Sequence, residues 1–179
     1  MGAISLQTSY SILPSTALIG AVRLGPSETT TMKNTNASAS IPIGAPVVFQ
    51  PSSPTSDLDA ASIANSTDVL AGIVRHSDDY SVAFTSGGVT VGELDTTGIT
   101  TSSLMNVLVE GWIYVTCTTA CKPGDRLYVA YAAGSTYTAA GQMGNATDSS
   151  VIDATTKGEW MSTALAGAGA WLKVDFSRK

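Results

Sequence analysis

The sequence predicts an all-β protein, a small barrel or a sandwich of about eight to ten short strands with an extended N-terminal arm. Several segments alternate apolar and polar residues with a period of two, which is typical of strands with one buried face. Turn signals built from Gly, Pro, Asn and Asp recur roughly every ten residues. The sequence contains no amphipathic pattern long enough for a helix of three turns.

The clearest strand pattern covers residues 107–117. One side of the alternation contains Val107, Val109, Gly111, Ile113, Val115 and Cys117, and the other contains Leu108, Glu110, Trp112, Tyr114 and Thr116. A turn is predicted at Pro123-Gly124-Asp125, after which the apolar alternation resumes. The first side carries no catalytic residue types, so the segment is interpreted as scaffold and surface.

The remaining elements are shorter and follow the same pattern. Further strands are predicted at residues 47–49, 69–76, 80–84, 89–94, 158–161 and 170–176. A hairpin is predicted around Gly134-Ser135, which separates two short apolar runs. A single helical turn is predicted at residues 56–63, with Asp57 as its N-cap.

Residues 1–40 differ from the rest and are predicted to form an arm, with residues 41–179 as the β-domain. Small apolar clusters in the arm are separated by polar residues, and a polar tract follows them. We expect each cluster to anchor in a groove of a partner. The predicted anchors are Leu6, Tyr10, Ile12, Leu13, Leu18 and Ile19. The alternative is that residues 1–40 form two or three ordinary strands of the main domain.

Charge and hydropathy exclude several classes of partner. The net charge is −5, and the Lys and Arg residues are scattered, whereas nucleic-acid binding needs clustered cations. No apolar run approaches the ~20 residues that a membrane helix needs. Charged residues make up only 13% of the chain, against about 25% in typical soluble domains. This indicates either a surface covered by a partner or a neutral surface rich in Ser and Thr.

No residue pattern indicates an enzyme or a metal site. His76 is the single histidine and has no nucleophile motif around it. Weak calcium candidates are Asp78, Asp79, Glu93 and Asp95, and the pair Asp57 and Asp59, which are better interpreted as solvated loop carboxylates. Cys117 and Cys121 are expected to be buried thiols, since zinc needs about four ligands, and a sparse cysteine content fits a reducing cytoplasm. No cofactor is expected.

The order of motifs along the chain resembles that of the structural cement (capsid decoration) proteins of tailed bacteriophages. The motifs that carry the resemblance are Leu6-Gln7-Thr8-Ser9-Tyr10, Ile43-Gly44-Ala45-Pro46-Val47, Leu70-Ala71-Gly72-Ile73-Val74, the alternating strand at residues 107–115, Gly124-Asp125, and Gly158-x-Trp160. The resemblance implies a small barrel or tulip-like domain that assembles as a homotrimer. It also implies binding to the major capsid protein on the outer surface of the head, after synthesis in the host cytoplasm, with no enzyme activity.

Two functional hypotheses follow. The first is a structural protein that binds across neighbouring major capsid subunits and stabilises the mature head. The second is a carbohydrate-binding or host-adhesion module on the virion surface, which would require Trp112, Trp160 or Trp171 to share an exposed face. Core packing is the simpler interpretation of these tryptophans. A trimeric β-fold enzyme would need convergent acidic residues and a metal, for which the sequence gives little support.

Overall fold

A computed structural model describes residues 19–36, 39–50, 59–76, 82–85, 88–91 and 98–177. These residues contain twelve strands and no helix, which confirms the all-β prediction. In these ranges the chain therefore offers no helix that could cross a membrane. The strands are β1 (Glu28–Asn34), β2 (Pro46–Phe49), β3 (Asp59–Ser62), β4 (Leu70–Val74), β5 (Val82–Thr85), β6 (Gly88–Val91), β7 (Leu104–Thr116), β8 (Tyr128–Ala130), β9 (Met143–Gly144), β10 (Val151–Asp153), β11 (Gly158–Trp160) and β12 (Gly169–Asp175).

Five of these strands close into a barrel. Their order is β1-β3-β2-β4-β7, and β7 pairs back with β1 to complete the ring. The β1–β3 pair is parallel, and the other neighbours are antiparallel. Closure gives each barrel strand a partner on both sides, which removes the free edges of an open sheet. Of the two predicted architectures, the chain therefore adopts the barrel, with additional strands outside it.

The long strand β7 connects the barrel to the rest of the molecule. Residues 104–110 pair with β1 and residues 107–108 with β4, whereas residues 110–116 pair with β12. At about 3.3 Å per residue, β7 is roughly 40 Å long. The predicted alternation is confirmed over residues 111–116, where Ile113 and Val115 are buried while Trp112 and Tyr114 are only half-buried. It does not hold at Leu108, which is buried, and Val109, which is half-buried. β12 continues outwards to β11, and a second sheet has the order β10-β8-β9.

Two hydrophobic cores share the barrel wall. The barrel core contains Met32, Ile41, Val47, Ala60, Ala71, Val74, Ile99, Met105 and Val107. The outer core lies between the barrel wall and the C-terminal strands, and its largest member is Trp160. Neighbouring residues on three strands divide between the two cores: Val47 and Val48, Val74 and Ile73, and Val107 and Leu108. Strands buried on both faces have continuous apolar runs, which accounts for these sequences.

The polar tract that was predicted to belong to the arm contains a barrel strand. β1 lies at residues 28–34 and alternates in burial, with Met32 and Asn34 buried. Asn34 is satisfied in the barrel because its side-chain amide donates to the Ile99 carbonyl at 2.8 Å. The alternative of an ordinary strand therefore holds for residues 28–34. Residues 1–18 lie outside the described residues, and an arm there remains a proposal.

Two local predictions are wrong. The segment predicted as a helical turn contains β3, which pairs with both β1 and β2 and buries Ala60 and Ala61, so barrel closure outweighs local propensity. No hairpin forms at Gly134-Ser135. β8 pairs instead with β9 and β10. The Gly134 N–H donates to the Tyr137 carbonyl in a local turn, and the next N–H groups bond to side chains, with Thr136 donating to Asp148 at 2.7 Å and Thr138 donating to Gln142 at 2.7 Å.

Candidate interaction surface

The described residues contain no arrangement suited to catalysis. His76 follows β4, and its backbone N–H donates to the Gly20 carbonyl at 2.8 Å. Its side-chain Nε2 is buried, and no described residue forms a hydrogen bond with this nitrogen. Within the described part of the chain, no group of three His, Cys, Asp or Glu residues could hold a metal ion. The calcium candidates Asp57, Asp78, Asp79, Glu93 and Asp95 lie outside the described residues.

The two cysteines have a structural role. Cys117 and Cys121 are both free and buried, as expected from the sequence. Burial raises the pKa of the Cys117 thiol far above its ordinary value, and a hydrogen bond with Cys121 raises it further. Cys117 is therefore protonated at neutral pH and is a poor nucleophile and metal ligand.

The most distinctive surface is an aromatic face on the outer side of β7 and β12. It comprises Arg23, Trp112, Tyr114 and Trp171, which are all exposed or half-exposed. Trp171 is the register partner of Tyr114, and their ring centroids lie 5.4 Å apart in an edge-to-face arrangement. The Arg23 guanidinium carbon lies 4.6 Å from the centroid of the Trp112 ring, within the range of a cation–π contact.

The path of residues 20–23 places Arg23 on this face. These residues run along β7, with the Tyr114 N–H donating to Ala21 at 2.9 Å and the Arg23 N–H donating to Trp112 at 3.1 Å. β12 pairs with the same part of β7 and supplies Trp171. Leu24 comes directly after Arg23 and is 100% exposed. One surface thus combines a cationic group, three aromatic rings and a fully exposed aliphatic side chain.

Charged residues border the aromatic face on both strands. Lys173 is the register partner of Trp112 and is exposed. One step further along the strands, Glu110 is opposite Glu28 on β1 and opposite Asp175 on β12. Like charges directly opposite one another destabilise a sheet. The border is therefore polar and largely acidic at this end, around an apolar centre, which is the general composition of protein interfaces.

The structure places only one of the predicted arm anchors. Ile19 is half-buried and contributes to a groove beside the barrel loop at residues 42–46. The other anchors, Leu6, Tyr10, Ile12, Leu13 and Leu18, lie outside the described residues. Arg23 and Leu24 were not predicted as surface contacts from the sequence. Their only signal was a Leu-Gly-Pro turn before the polar tract, which indicates an exposed turn but not its neighbours.

The described residues thus form an all-β domain with a partly exposed aromatic face. The sequence matches the family of structural cement proteins (E217 gp24/Pam3 gp6) over residues 6–176. The chain therefore belongs to this family, which confirms the resemblance inferred from the motif order. Membership supports a structural, non-enzymatic role as part of a phage head.

Solved structures support the same fold. A chain from the capsid of Myoviridae phage XM1 matches with a TM-score of 0.63 at 15% identity. The match covers 96% of this chain and 98% of that chain, so the similarity extends over the whole domain. At this identity the likeness concerns the fold alone. A search of curated proteins found no match.

Proposed function

We propose that this protein stabilises the mature phage head by binding across neighbouring major capsid subunits on the outer surface. The observation that carries the proposal is the aromatic face. Trp, Tyr and Arg are the residues that most often dominate binding energy at protein interfaces. Here they are grouped on one face beside the fully exposed Leu24, in a chain with only 13% charged residues.

Stabilisation follows from mass action. A protein that binds only the assembled shell stabilises it in proportion to the logarithm of its free concentration over its Kd. A site that spans two subunits exists only after the shell has assembled, so the timing of binding requires no switch in the cement protein itself. A homotrimer with cyclic symmetry presents three copies of the same face, and multivalency then strengthens individually weak contacts.

The predicted arm adds a second contact in this proposal. The predicted anchors Leu6, Tyr10, Ile12, Leu13 and Leu18 would bind in a groove of the capsid protein, whereas Ile19 lies in a groove of this chain and would mark the base of the arm. A chain without residues 1–18 retains every described residue, and we expect it to fold but to decorate shells weakly. Undiminished decoration would contradict the role of the arm and leave the aromatic face to explain binding.

The test of the aromatic face uses two exposed leucines. Leu24 is 100% exposed beside Trp112, whereas Leu104 is 64% exposed at the start of β7, roughly 25 Å away along the strand. We expect Leu24→Asp to weaken decoration of purified shells by roughly tenfold or more, equivalent to ~1.4 kcal/mol, while the matched control Leu104→Asp binds normally. Equal weakening by both variants would contradict this location of the interface.

Loss of binding should also remove the stabilisation. Shells saturated with the protein are expected to release their genome at a higher temperature than bare shells, and shells incubated with the Leu24→Asp variant at the same concentration should release it near the bare-shell temperature. The same release temperature with and without the wild-type protein would refute the cement function.

Carbohydrate binding is the second candidate. Two of the three tryptophans, Trp112 and Trp171, share the half-exposed outer face of β7 and β12, which is the condition that this hypothesis requires. Trp160 is fully buried and takes no part. Binding to a glycan array that is lost in Trp171→Ala would favour this function. No binding to any glycan, together with loss of shell decoration in the same variant, would favour the cement function.

A further inference from the structure

A groove lies between the barrel and the C-terminal region, which comprises residues 117–177. None of the residues of the aromatic face lines it. It has a volume of about 290 Å³, at the lower limit of typical ligand pockets, ~300–1,000 Å³. One wall is the barrel loop around Ile43 with the end of β3 at Ile63, and the other is the end of β7 at Thr116 with the loop that ends at Met143. Most of the lining is apolar, so the groove suits a few aliphatic side chains.

Ile19 contributes to this groove and is held in place by its neighbours. The Gly20 N–H donates to the Tyr114 carbonyl at 2.7 Å, and the Gly20 carbonyl accepts the His76 N–H at 2.8 Å. Gly20 has a φ of +81°, and a Cβ there would lie 2.3 Å from Ile43 and 2.7 Å from the His76 nitrogen. The chain is therefore fixed at residue 20, and Ile19, the first described residue, lines the groove.

We propose that this groove binds residues 12–18 of the same chain in the free protein. This segment has the sequence Ile-Leu-Pro-Ser-Thr-Ala-Leu, so its aliphatic side chains are concentrated at its two ends, at Ile12, Leu13 and Leu18. The lining offers the matching apolar surface at Ile43, Ile63 and Met143. Burying these side chains removes apolar area from water on both partners.

The covalent connection at Ile19 favours binding of residues 12–18 of the same chain over binding of a second copy of the protein. Seven extended residues reach at most about 25 Å, so the tethered segment stays near the groove. A short tether gives an effective concentration in the millimolar range, whereas a second copy would have to compete from its much lower bulk concentration. The inference concerns the free protein and does not depend on any contact with a capsid.

Cysteine cross-linking of the full chain can test this arrangement. Ala140 is an exposed residue of the groove wall, so the variant with Leu13→Cys and Ala140→Cys should form an intramolecular disulfide under a mild oxidant. The matched control pairs Leu13→Cys with Leu104→Cys, which lies at the start of β7, and we expect it to react at least tenfold more slowly. Peptide mass mapping identifies the linked residues and excludes reaction with the buried native cysteines.

A second pair of variants tests whether apolar contact holds the segment. In the Leu13→Cys and Ala140→Cys protein, the further change Leu18→Asp should slow cross-linking to the rate of the distant control, while Thr16→Asp should leave the rate nearly unchanged. Cross-links between two chains would show a second copy in the groove and overturn the proposal. Equal rates for the groove and distant pairs would also overturn it, whatever the outcome of the shell-binding experiments.

Discussion

The barrel and the C-terminal region are stabilised in different ways. The barrel is a ring of backbone pairing around small and flexible side chains, including Ala60, Ala71 and Met32. The C-terminal region has short strands of two or three residues apart from β12, and its core contains Trp160, Leu127 and Leu172. Where continuous pairing is absent, large side chains and side-chain hydrogen bonds have to fix the chain.

Polar contacts in the C-terminal region support this contrast. The Trp160 indole N–H donates to the Gly144 carbonyl at 3.3 Å, and the Tyr137 hydroxyl donates to the Ala146 carbonyl at 2.8 Å. The Asn145 amide donates to Asp125 at 2.6 Å. These bonds join strands and loops that are not paired with one another in the described residues. We therefore expect truncation of a large side chain to reduce the free energy of unfolding more in this region. Replacement of a strand glycine, which disturbs the backbone pairing, should reduce it more in the barrel.

The largest expected effect is that of Trp160→Ala. The side chain is fully buried in the outer core, and removal of a buried Trp typically costs about 3–5 kcal/mol. The truncation also leaves the Gly144 carbonyl without its indole donor. Urea unfolding should show a large fall in the free energy of unfolding.

Trp171→Ala is the matched control for that substitution. Trp171 is half-buried on the aromatic face, where its main contact is the Tyr114 ring. We expect a loss of about 1 kcal/mol, since such aromatic pairs contribute roughly 0.5–1.5 kcal/mol. Similar losses in the two variants would mean that the outer core does not depend on its large buried side chain.

Gly72→Ala tests the barrel in the same comparison. Gly72 lies on β4 where it meets β7, and a Cβ there would lie 2.5 Å from the Leu108 carbonyl oxygen and 2.5 Å from a Val107 methyl group. The closed barrel cannot open without losing backbone pairs between strands. We therefore expect the free energy of unfolding to fall by about 1–3 kcal/mol, as for other overpacked cores. The free energy of unfolding from urea titration measures it.

Gly25→Ala provides a control at a residue with nearly the same φ. Gly25 has a φ of +154°, against +157° for Gly72, and a Cβ there would meet nothing within 4 Å. The cost of a side chain at this φ is therefore shared by the two variants, and a larger loss in Gly72→Ala reports the steric contact with β7. No difference between them would show that the barrel wall accommodates the added methyl group easily.

The sequence predicted the strands whose two faces differ, and it failed where distant residues decide the structure. The alternation was sufficient at residues 111–116, where β7 buries Ile113 and Val115 and leaves Trp112 half-exposed. The polar appearance of β1 was misleading, since three consecutive threonines conceal an alternation visible only at Met32 and Asn34. Asn34 is buried because the Ile99 carbonyl accepts from it across 65 positions of sequence.

The candidate surface was predictable only in part. Trp112 and Trp171 were identified as aromatics that could share a face, but the register that places Trp171 beside Tyr114 comes from the pairing of β12 with β7. The position of Arg23 over Trp112 depends on residues 20–23 following β7, which is long-range information. Periodicity therefore identified the exposed side of each strand. Only the pairing of distant strands brings the residues of the aromatic face together.

The smallest expected effect concerns Asp148, in the loop between β9 and β10. Its carboxylate accepts four hydrogen bonds, from the Thr136 and Ser150 N–H groups and the Ser135 and Ser149 hydroxyls. The Thr136 N–H is the main cause that lowers the pKa of Asp148 well below its ordinary value of 3.8. A lowered pKa in the folded state means that the stabilisation is present above pH ~4 and is lost as the pH falls further.

Asp148→Asn should therefore reduce the free energy of unfolding at pH 7 and make its decline below pH 4 shallower than in the wild type. Asp153→Asn is the matched control, because the pKa of Asp153 is also lowered but its carboxylate accepts only one backbone hydrogen bond of this kind in the described residues, from Thr155 at 3.0 Å. Thermal unfolding at several pH values would measure both variants. If Asp148→Asn and the wild type lose stability in parallel below pH 4, the acid sensitivity has another origin, and the hydrogen bonds to Asp148 do not stabilise the loops of the C-terminal region.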